Sequence, residues 1–355
     1  LKVSQQLNQT GYICIFHITQ LKIRLKKMTK LLSKNDVMKI LTIRDTIDIL
    51  EKAFIDLAEG KANMPQRTPI TAPGYNGLAL FMPAYLEGMG ALGTKVVTVY
   101  KDNPVKFDLP NVMGTILILD EKTGAPKAIM DGGFITAMRT GAVAGLASKY
   151  LARKKSEVHT LFGIGGMAKT HVLAVDAVRD IKKLNLVSLD TVEKKENFKA
   201  ELQKEITSEI EIVEKPLSAL KESDIITLIT TAKEPIIDFK WIQPGAHING
   251  IGAHAPAMRE IDTATVANSK IVCDFVDACK AEAGDLIIPV EEGKWNWGKV
   301  HGSLGDVITN KITSRENDLE ITLFKSVGLA IQDISTAHHV YQKAVELGTG
   351  IEFSF

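Results

Sequence analysis

Apolar residues after Leu31 recur at mixed three- and four-residue spacing: Val37, Ile40 and Leu41, then Ile43, Ile47, Leu50, Phe54 and Leu57. That spacing predicts helix from Leu31 onward, with Gly60 as its stop. Strand-like runs follow at 78–82, 93–100 and 112–119, separated by Gly, Pro and Asn. A helix rich in small residues is expected from about Thr136 to Ala152, with Thr136 as its N-cap. Beyond it the pattern changes. An apolar strand at 158–163, a helix at 168–180, a strand at 184–189 and a charged helix come in turn, and further apolar runs lie at 210–213, 225–230, 247–251 and 271–274. Strand alternating with helix over this length predicts an α/β protein with a parallel sheet and helices on both faces. One long helix is expected to close the chain, from about Phe324 to Gly348, with Val327, Ile331, Ile334 and Val345 along it.

Composition adds limits. The chain has 355 residues, 45% hydrophobic and 24% charged, a globular profile long enough for two domains. Lys and Arg number 43 against 42 Asp and Glu, so the basic excess of a nucleic-acid binder is missing. No apolar run approaches the roughly 18 residues needed to span a bilayer. Three cysteines, Cys14, Cys273 and Cys279, are too few for a disulfide framework and suit a reducing, cytoplasmic setting. The first 27 residues carry Lys2, Lys22, Arg24, Lys26 and Lys27 and no acid. They read either as a targeting leader or as sequence upstream of a start at Met28, and are expected to be disordered.

The sharpest local signal is Leu161-Phe-Gly163-Ile-Gly165-Gly166-Met167-Ala168, a G-x-G-x-x-A turn between an apolar strand and a helix. Gly163 suits the tight turn, Gly165 lets a pyrophosphate approach the backbone, and Ala168 allows close helix–strand packing. Asp190 ends the next strand, where a carboxylate accepts hydrogen bonds from the ribose of NAD and repels the extra phosphate of NADP. Lys194 and Lys195 nearby leave NADP open. No metal-ligand spacing is evident: His338 and His339 are adjacent and diverge on a helix, Cys273 and Cys279 read as buried small residues, and Trp295 and Trp297 as loop packing.

Three cations stand apart. Arg139 sits among Ala, Gly and Met on the small-residue helix, where an unpaired guanidinium is costly to bury. Lys95 opens an apolar strand, where desolvation lowers its pKa toward an acid/base range. With Arg67 they suit a small anionic substrate: arginine forks for a carboxylate, lysine for the proton.

These residues and the segments around them resemble the ornithine cyclodeaminase/mu-crystallin family, which also contains archaeal-type alanine dehydrogenases and cyclic-imine reductases. The likeness runs from about Leu31 to Gly348, through 64–68, 95–104, 109–114, 131–151, 163–168, 241–262 and 321–333. It implies a Rossmann-type doubly wound sheet at 151–323, a substrate and dimerisation domain at 28–150, and a last segment, 324–355, that returns to the first domain. By the same resemblance Arg67, Lys95, Arg139 and Val327 contact substrate. Asn111, Arg139, Thr140, Gly163, Gly165, Gly166, Met167, Asp190, Thr230, Ile251, Gly252, Ala253 and Ser326 contact the cofactor, and the chain forms a homodimer.

Two departures bear on activity. Cyclodeaminases of the family carry an aspartate where this chain has His254, and a glutamate at the position matching Leu80. His254 remains a candidate acid/base near neutral pH. With both carboxylates missing, the expected activity is NAD(P)-dependent oxidoreduction at the α-carbon of a small amino or imino acid, alanine dehydrogenase-like or Δ1-pyrroline-2-carboxylate reductase-like. The alternatives are an ornithine cyclodeaminase and a mu-crystallin-like ligand-binding protein.

Overall fold

The computed structural model describes residues 28–354, so the expectations for the basic N-terminal segment lie outside the described residues. Two sheets organise the chain. The first contains β1 (Met28–Leu32), β2 (Ala62–Asn63), β3 (Thr68–Ala72), β4 (Gly77–Leu86), β5 (Ala91–Tyr100), β6 (Val112–Leu119) and β7 (Pro126–Asp131). The second contains β8 (Val158–Phe162), β9 (Lys183–Val187), β10 (Glu209–Ile212), β11 (Ile225–Leu228), β12 (His247–Gly250), β13 (Lys270–Cys273), β14 (Val300–Ser303) and β15 (Thr322–Lys325). A last strand, β16 (Ile351–Ser354), returns to the first sheet and pairs antiparallel with β1.

The second sheet runs β10-β9-β8-β11-β12-β15-β13-β14, and every pair in it is parallel. The chain leaves β8 toward β9 on one side and later resumes at β11 on the other. That reversal opens a crevice at the carboxyl ends of β8 and β11, the usual ligand position in a doubly wound fold. The first sheet runs β16-β1-β7-β6-β5-β4-β2, with β3 on β4, and is antiparallel except for β1 against β7. Its core face is covered by the helices Ile43–Ala58, Gly132–Leu151 and Ala330–Leu347.

Several expected boundaries move. Leu31 lies in β1, and the continuous helix expected after it is two helices, Lys34–Ile40 and Ile43–Ala58, capped by Ser33 and Thr42. The small-residue helix starts at Gly132, because the Asp131 side chain accepts the Phe134 N–H; Thr136 instead bonds back to the Gly132 carbonyl. It lies between the two sheets and is buried almost all round, so it shows no polar face to mark its start. The helix after the glycine turn ends at Asp176, earlier than expected. The final helix begins at Ala330: Phe324 and Lys325 are strand, and Ser326 to Leu329 form a loop.

Candidate active site

Lys95 lies on β5 directly between Met82 of β4 and Ile116 of β6, on the face covered by helix Ala330–Leu347. Alternation along the strand commits its side chain to this interior, where it is 1% exposed. Its Nζ donates to Asp333 Oδ2 at 2.6 Å. Arg139, from helix Gly132–Leu151, donates through Nε to Asp333 Oδ1 at 2.9 Å and through Nη1 to Gln332 Oε1 at 2.9 Å. Burial would raise the Asp333 carboxyl, yet the charges of Arg139 and Lys95 hold it below its ordinary value. Burial pushes Lys95 down to about 8 against the pull of Asp333, and Arg139 adds to the depression.

Arg67 sits just ahead of β3 and reaches across to the second sheet's side. Its Nη2 donates to the carbonyls of Val327 at 2.9 Å and Gly328 at 3.2 Å, and its guanidinium is ion-paired with Glu282. The loop bearing those carbonyls hangs from one buried carboxylate. Asp274 Oδ2 accepts the Ser326 hydroxyl at 2.8 Å, the Val327 N–H at 2.9 Å and the Gly328 N–H at 3.0 Å. Gly328 turns with φ +81°, and a Cβ there would lie 2.7 Å from Arg139 Nη1, so a side chain would strain the turn and crowd the guanidinium. Arg67 and Gly328 line a cavity of about 200 Å³ together with Met64, Met82, Phe275, Glu282 and Leu329; Met82 is the cross-strand neighbour of Lys95, and Gly328 abuts the Arg139 guanidinium. Leu80 faces the same side as Met82 and Lys95, so the position where cyclodeaminases carry glutamate is apolar on the site's own face.

The glycine turn takes the form a dinucleotide needs. Gly163 has φ +96°, and a Cβ there would touch the Ile229 carbonyl and the Thr230 methyl, which places the turn against the loop after β11. A Cβ on Gly165 or Gly166 would meet nothing within 4 Å, which leaves the backbone open to a bulky ligand. No side chain caps the helix Ala168–Asp176 that starts there, so its N-terminal end is available to an anion. Asp190 lies three residues past β9, the strand beside β8; the Lys194 ammonium at 2.5 Å and the Ser188 hydroxyl at 2.5 Å hold its carboxyl below the ordinary range. These residues fit NAD(H): an open turn, a free helix end and an ionised carboxylate where a ribose acceptor is expected.

Thr230 and Ile251 to Ala253 follow β11 and β12 and meet through Glu260. His254 is on the exposed rim. Its Nδ1 bonds the Gly252 carbonyl at 2.8 Å and so must carry the proton, while desolvation lowers its pKa. Asn111 and Thr140 are the remaining expected cofactor positions. Asn111 is exposed on the loop before β6, and the Thr140 hydroxyl bonds the Thr136 carbonyl of its own helix.

The acidic partners were not legible as site residues. Asp333, Asp274, Glu260 and Asp285 are wholly buried, and each touches a cation or a loop N–H of the site. A signal exists: Asp333 interrupts the apolar face of the last helix, and Lys325 interrupts an apolar strand, where an ion must find a partner. Among the described residues no group of acidic, His or Cys side chains has the arrangement of a metal site.

Comparison with known proteins agrees with this geometry. The ornithine cyclodeaminase/mu-crystallin family model matches residues 27–348. A Δ1-pyrroline-2-carboxylate reductase of Bacillus cereus is 37% identical, over 91% of this chain and 99% of its own. The structure of a Thermococcus litoralis Δ1-pyrroline-2-carboxylate reductase in complex with NADH and L-proline superposes with a TM-score of 0.87 at 44% identity, covering 91% of this chain and 99% of that one. An archaeal alanine dehydrogenase dimer with bound NAD superposes with a TM-score of 0.86 at 33% identity, covering 92% and 99%. With a match that extends over nearly all the described residues, this chain belongs to the ornithine cyclodeaminase/mu-crystallin family.

Proposed function

We propose that this protein is an NAD(H)-dependent reductase of small cyclic imino acids, with Δ1-pyrroline-2-carboxylate as substrate and L-proline as product. The observation that carries this reading is Lys95 and Arg139 converging on Asp333 beside a small cavity with Arg67 at its edge. At about 200 Å³ the cavity is below the roughly 300–1,000 Å³ common for larger ligands. Its Met64, Met82, Phe275 and Leu329 walls suit the methylenes of a five-membered ring. The likeness to reductases of this substrate, at 37% and 44% identity, supports the same choice.

When bound, NADH supplies the hydride that reduces the C=N carbon. The protein's part is to hold the substrate and manage the proton. Arg139 spends two N–H donors on Asp333 and Gln332 and retains three, while Arg67 already bears one carboxylate on the cavity side, that of Glu282. Together they orient the substrate carboxylate. Lys95, with a pKa near the working range, delivers the proton to the ring nitrogen, and Asp333 stabilises its ammonium beforehand. Leu80 and His254 leave the substrate site without the two carboxylates that suit a diamino acid.

The protein works as a cytoplasmic homodimer in this reading. Ile70, Phe81 and Met113 lie exposed on one face of the first sheet, opposite the face that holds Lys95, and Phe107 and Leu109 are exposed on the neighbouring loop. A surface of that kind suits association with a second copy. Sedimentation at micromolar concentration is expected to give the dimer mass. No described helix is long and apolar enough to cross a membrane.

A substrate panel followed at the nicotinamide absorbance band tests the activity. NADH consumption with Δ1-pyrroline-2-carboxylate and formation of proline is the expected result. NADH formation with L-alanine alone would make the protein an alanine dehydrogenase. Ornithine converted to proline and ammonia without net cofactor change would make it a cyclodeaminase, and ligand binding with no turnover would make it a binding protein.

A further inference from the structure

Glu260 is fully buried beneath the two loops that follow β11 and β12, and its carboxylate joins them. Oε1 accepts the Thr230 N–H at 2.6 Å and the Thr230 hydroxyl at 2.8 Å, while Oε2 accepts the Ala253 N–H at 3.1 Å. The approach is so close that a Cβ on Gly252 would lie 2.6 Å from both carboxylate oxygens. Thr230 in turn borders Gly163 of the dinucleotide turn. Every partner of the carboxylate is a donor, so only the ionised form satisfies all three.

The floor below Glu260 is charged. Lys325 Nζ donates to Asp285 Oδ2 at 2.8 Å and to the Gly250 carbonyl at 3.0 Å, and Asp285 Oδ1 accepts the N–H groups of Glu260 and Ile261 at 2.7 and 3.0 Å. One buried ammonium thus faces two buried carboxylates and bonds directly to Asp285. The excess negative charge falls on Glu260.

We propose that Glu260 is a positioning residue for the cofactor: its ionised carboxylate locks the Thr230 and Ala253 loops into one ledge beside the glycine turn, so affinity for NADH depends on the charge of Glu260. The inference rests on the reading of this chain as an NAD(H) enzyme. Burial, with Asp285 adding to it, pushes Glu260 up to about 7 despite Lys325 and the Thr230 bonds, which puts its titration inside the working range. Protonation would set an O–H against one of the loop donors and release that loop. The other ionisable groups about this ledge are Asp285 on helix Gly284–Glu291, Lys325 on β15, and His254 and Arg259 on the same loop. Arg259 is engaged by Glu292, and desolvation lowers the His254 pKa below its ordinary value.

The test is NADH affinity of the full chain, read by nicotinamide fluorescence from about pH 6 to 8.5, for wild type and Glu260→Gln. Wild type is expected to bind about tenfold more weakly at pH 6 than at pH 8, the change expected when one hydrogen bond to a charged group is lost. Glu260→Gln, whose amide must oppose a loop donor, is expected to bind weakly and with little pH dependence. Thr230→Val serves if Glu260→Gln does not fold. It removes one donor to the ionised form, so the midpoint of the profile should move to higher pH. Wild-type affinity in Glu260→Gln at pH 8, an unchanged pH profile in that variant, or an unmoved midpoint in Thr230→Val would overturn the proposal. Absence of NADH binding by wild type at every pH would instead overturn the NAD(H) reading itself.

Discussion

Lys95 and Asp333, 238 residues apart in sequence, form a wholly buried ion pair with Nζ 2.6 Å from Oδ2. The strand contributes the lysine and the returning helix contributes its counter-ion, so closure of the chain end onto the first sheet completes this pair. Breaking such a pair from one side strands a charge in the interior.

Replacing Lys95 is therefore expected to affect chemistry before cofactor binding. Lys95→Ala should lower kcat by about two to four orders of magnitude, the worth of a positioned acid or base, with NADH affinity nearly unchanged. Lys95→Arg should stay impaired, because its charge is kept but the proton is not readily lost. Steady-state kinetics with the NADH dissociation constant measured alongside decide the matter; near-normal turnover in both variants would pass the role to His254.

The pH dependence follows from the lysine at about 8. Imine reduction needs the ammonium, so kcat/KM in that direction should fall as pH rises through about 8. Oxidation of the amino acid needs the neutral amine and should rise over the same interval. Asp333→Asn removes the charge that pulls the pKa upward, so both midpoints should shift to lower pH. Profiles recorded in the two directions that move together rather than in opposition would contradict this assignment.

Asp190→Ala should weaken NADH binding by about tenfold, since an ionised acceptor for the ribose is lost. Affinity for NADPH relative to NADH should improve, because the repelling charge goes and Lys194 is released from its carboxylate. Unchanged NADH affinity would mean that the end of β9 does not face the ribose.

Acid should destabilise the fold well above the carboxylate range. Burial pushes His159 and His247 down to about 3 and His171 down to about 4, so they stay neutral when folded and bind protons when unfolded below about 6.5. Their contribution is fully present above that pH and is lost as pH falls toward 4. Glu260, raised to about 7, acts in the opposite sense and offsets about one histidine. The net slope near pH 5.5 should be about 2–3 kcal/mol per pH unit. Urea midpoints at about pH 7 and pH 5 measure it, and equal midpoints would show that the histidines are solvated.

The parallel sheet, the glycine turn and an acid soon after the second strand were all legible along the chain, because each is a local feature, although β9 stops at Val187, three residues before Asp190. Apolar runs of strand length, a turn that needs small residues and a helix beginning directly after it require no knowledge of distant contacts. Lys95 and Arg139 likewise drew notice, since cations embedded in apolar surroundings are costly without partners. The identity of those partners came from tertiary folding alone. Asp333, Asp274 and Glu260 lie far in sequence from the groups they hold, or act on backbone N–H groups that have no side-chain signature. Helix ends moved for a related reason. Gly132–Leu151 is buried between two sheets, so its limits follow from packing and the Asp131 cap rather than from an amphipathic pattern, and Phe324 is strand because β12 and β13 flank it in the parallel sheet.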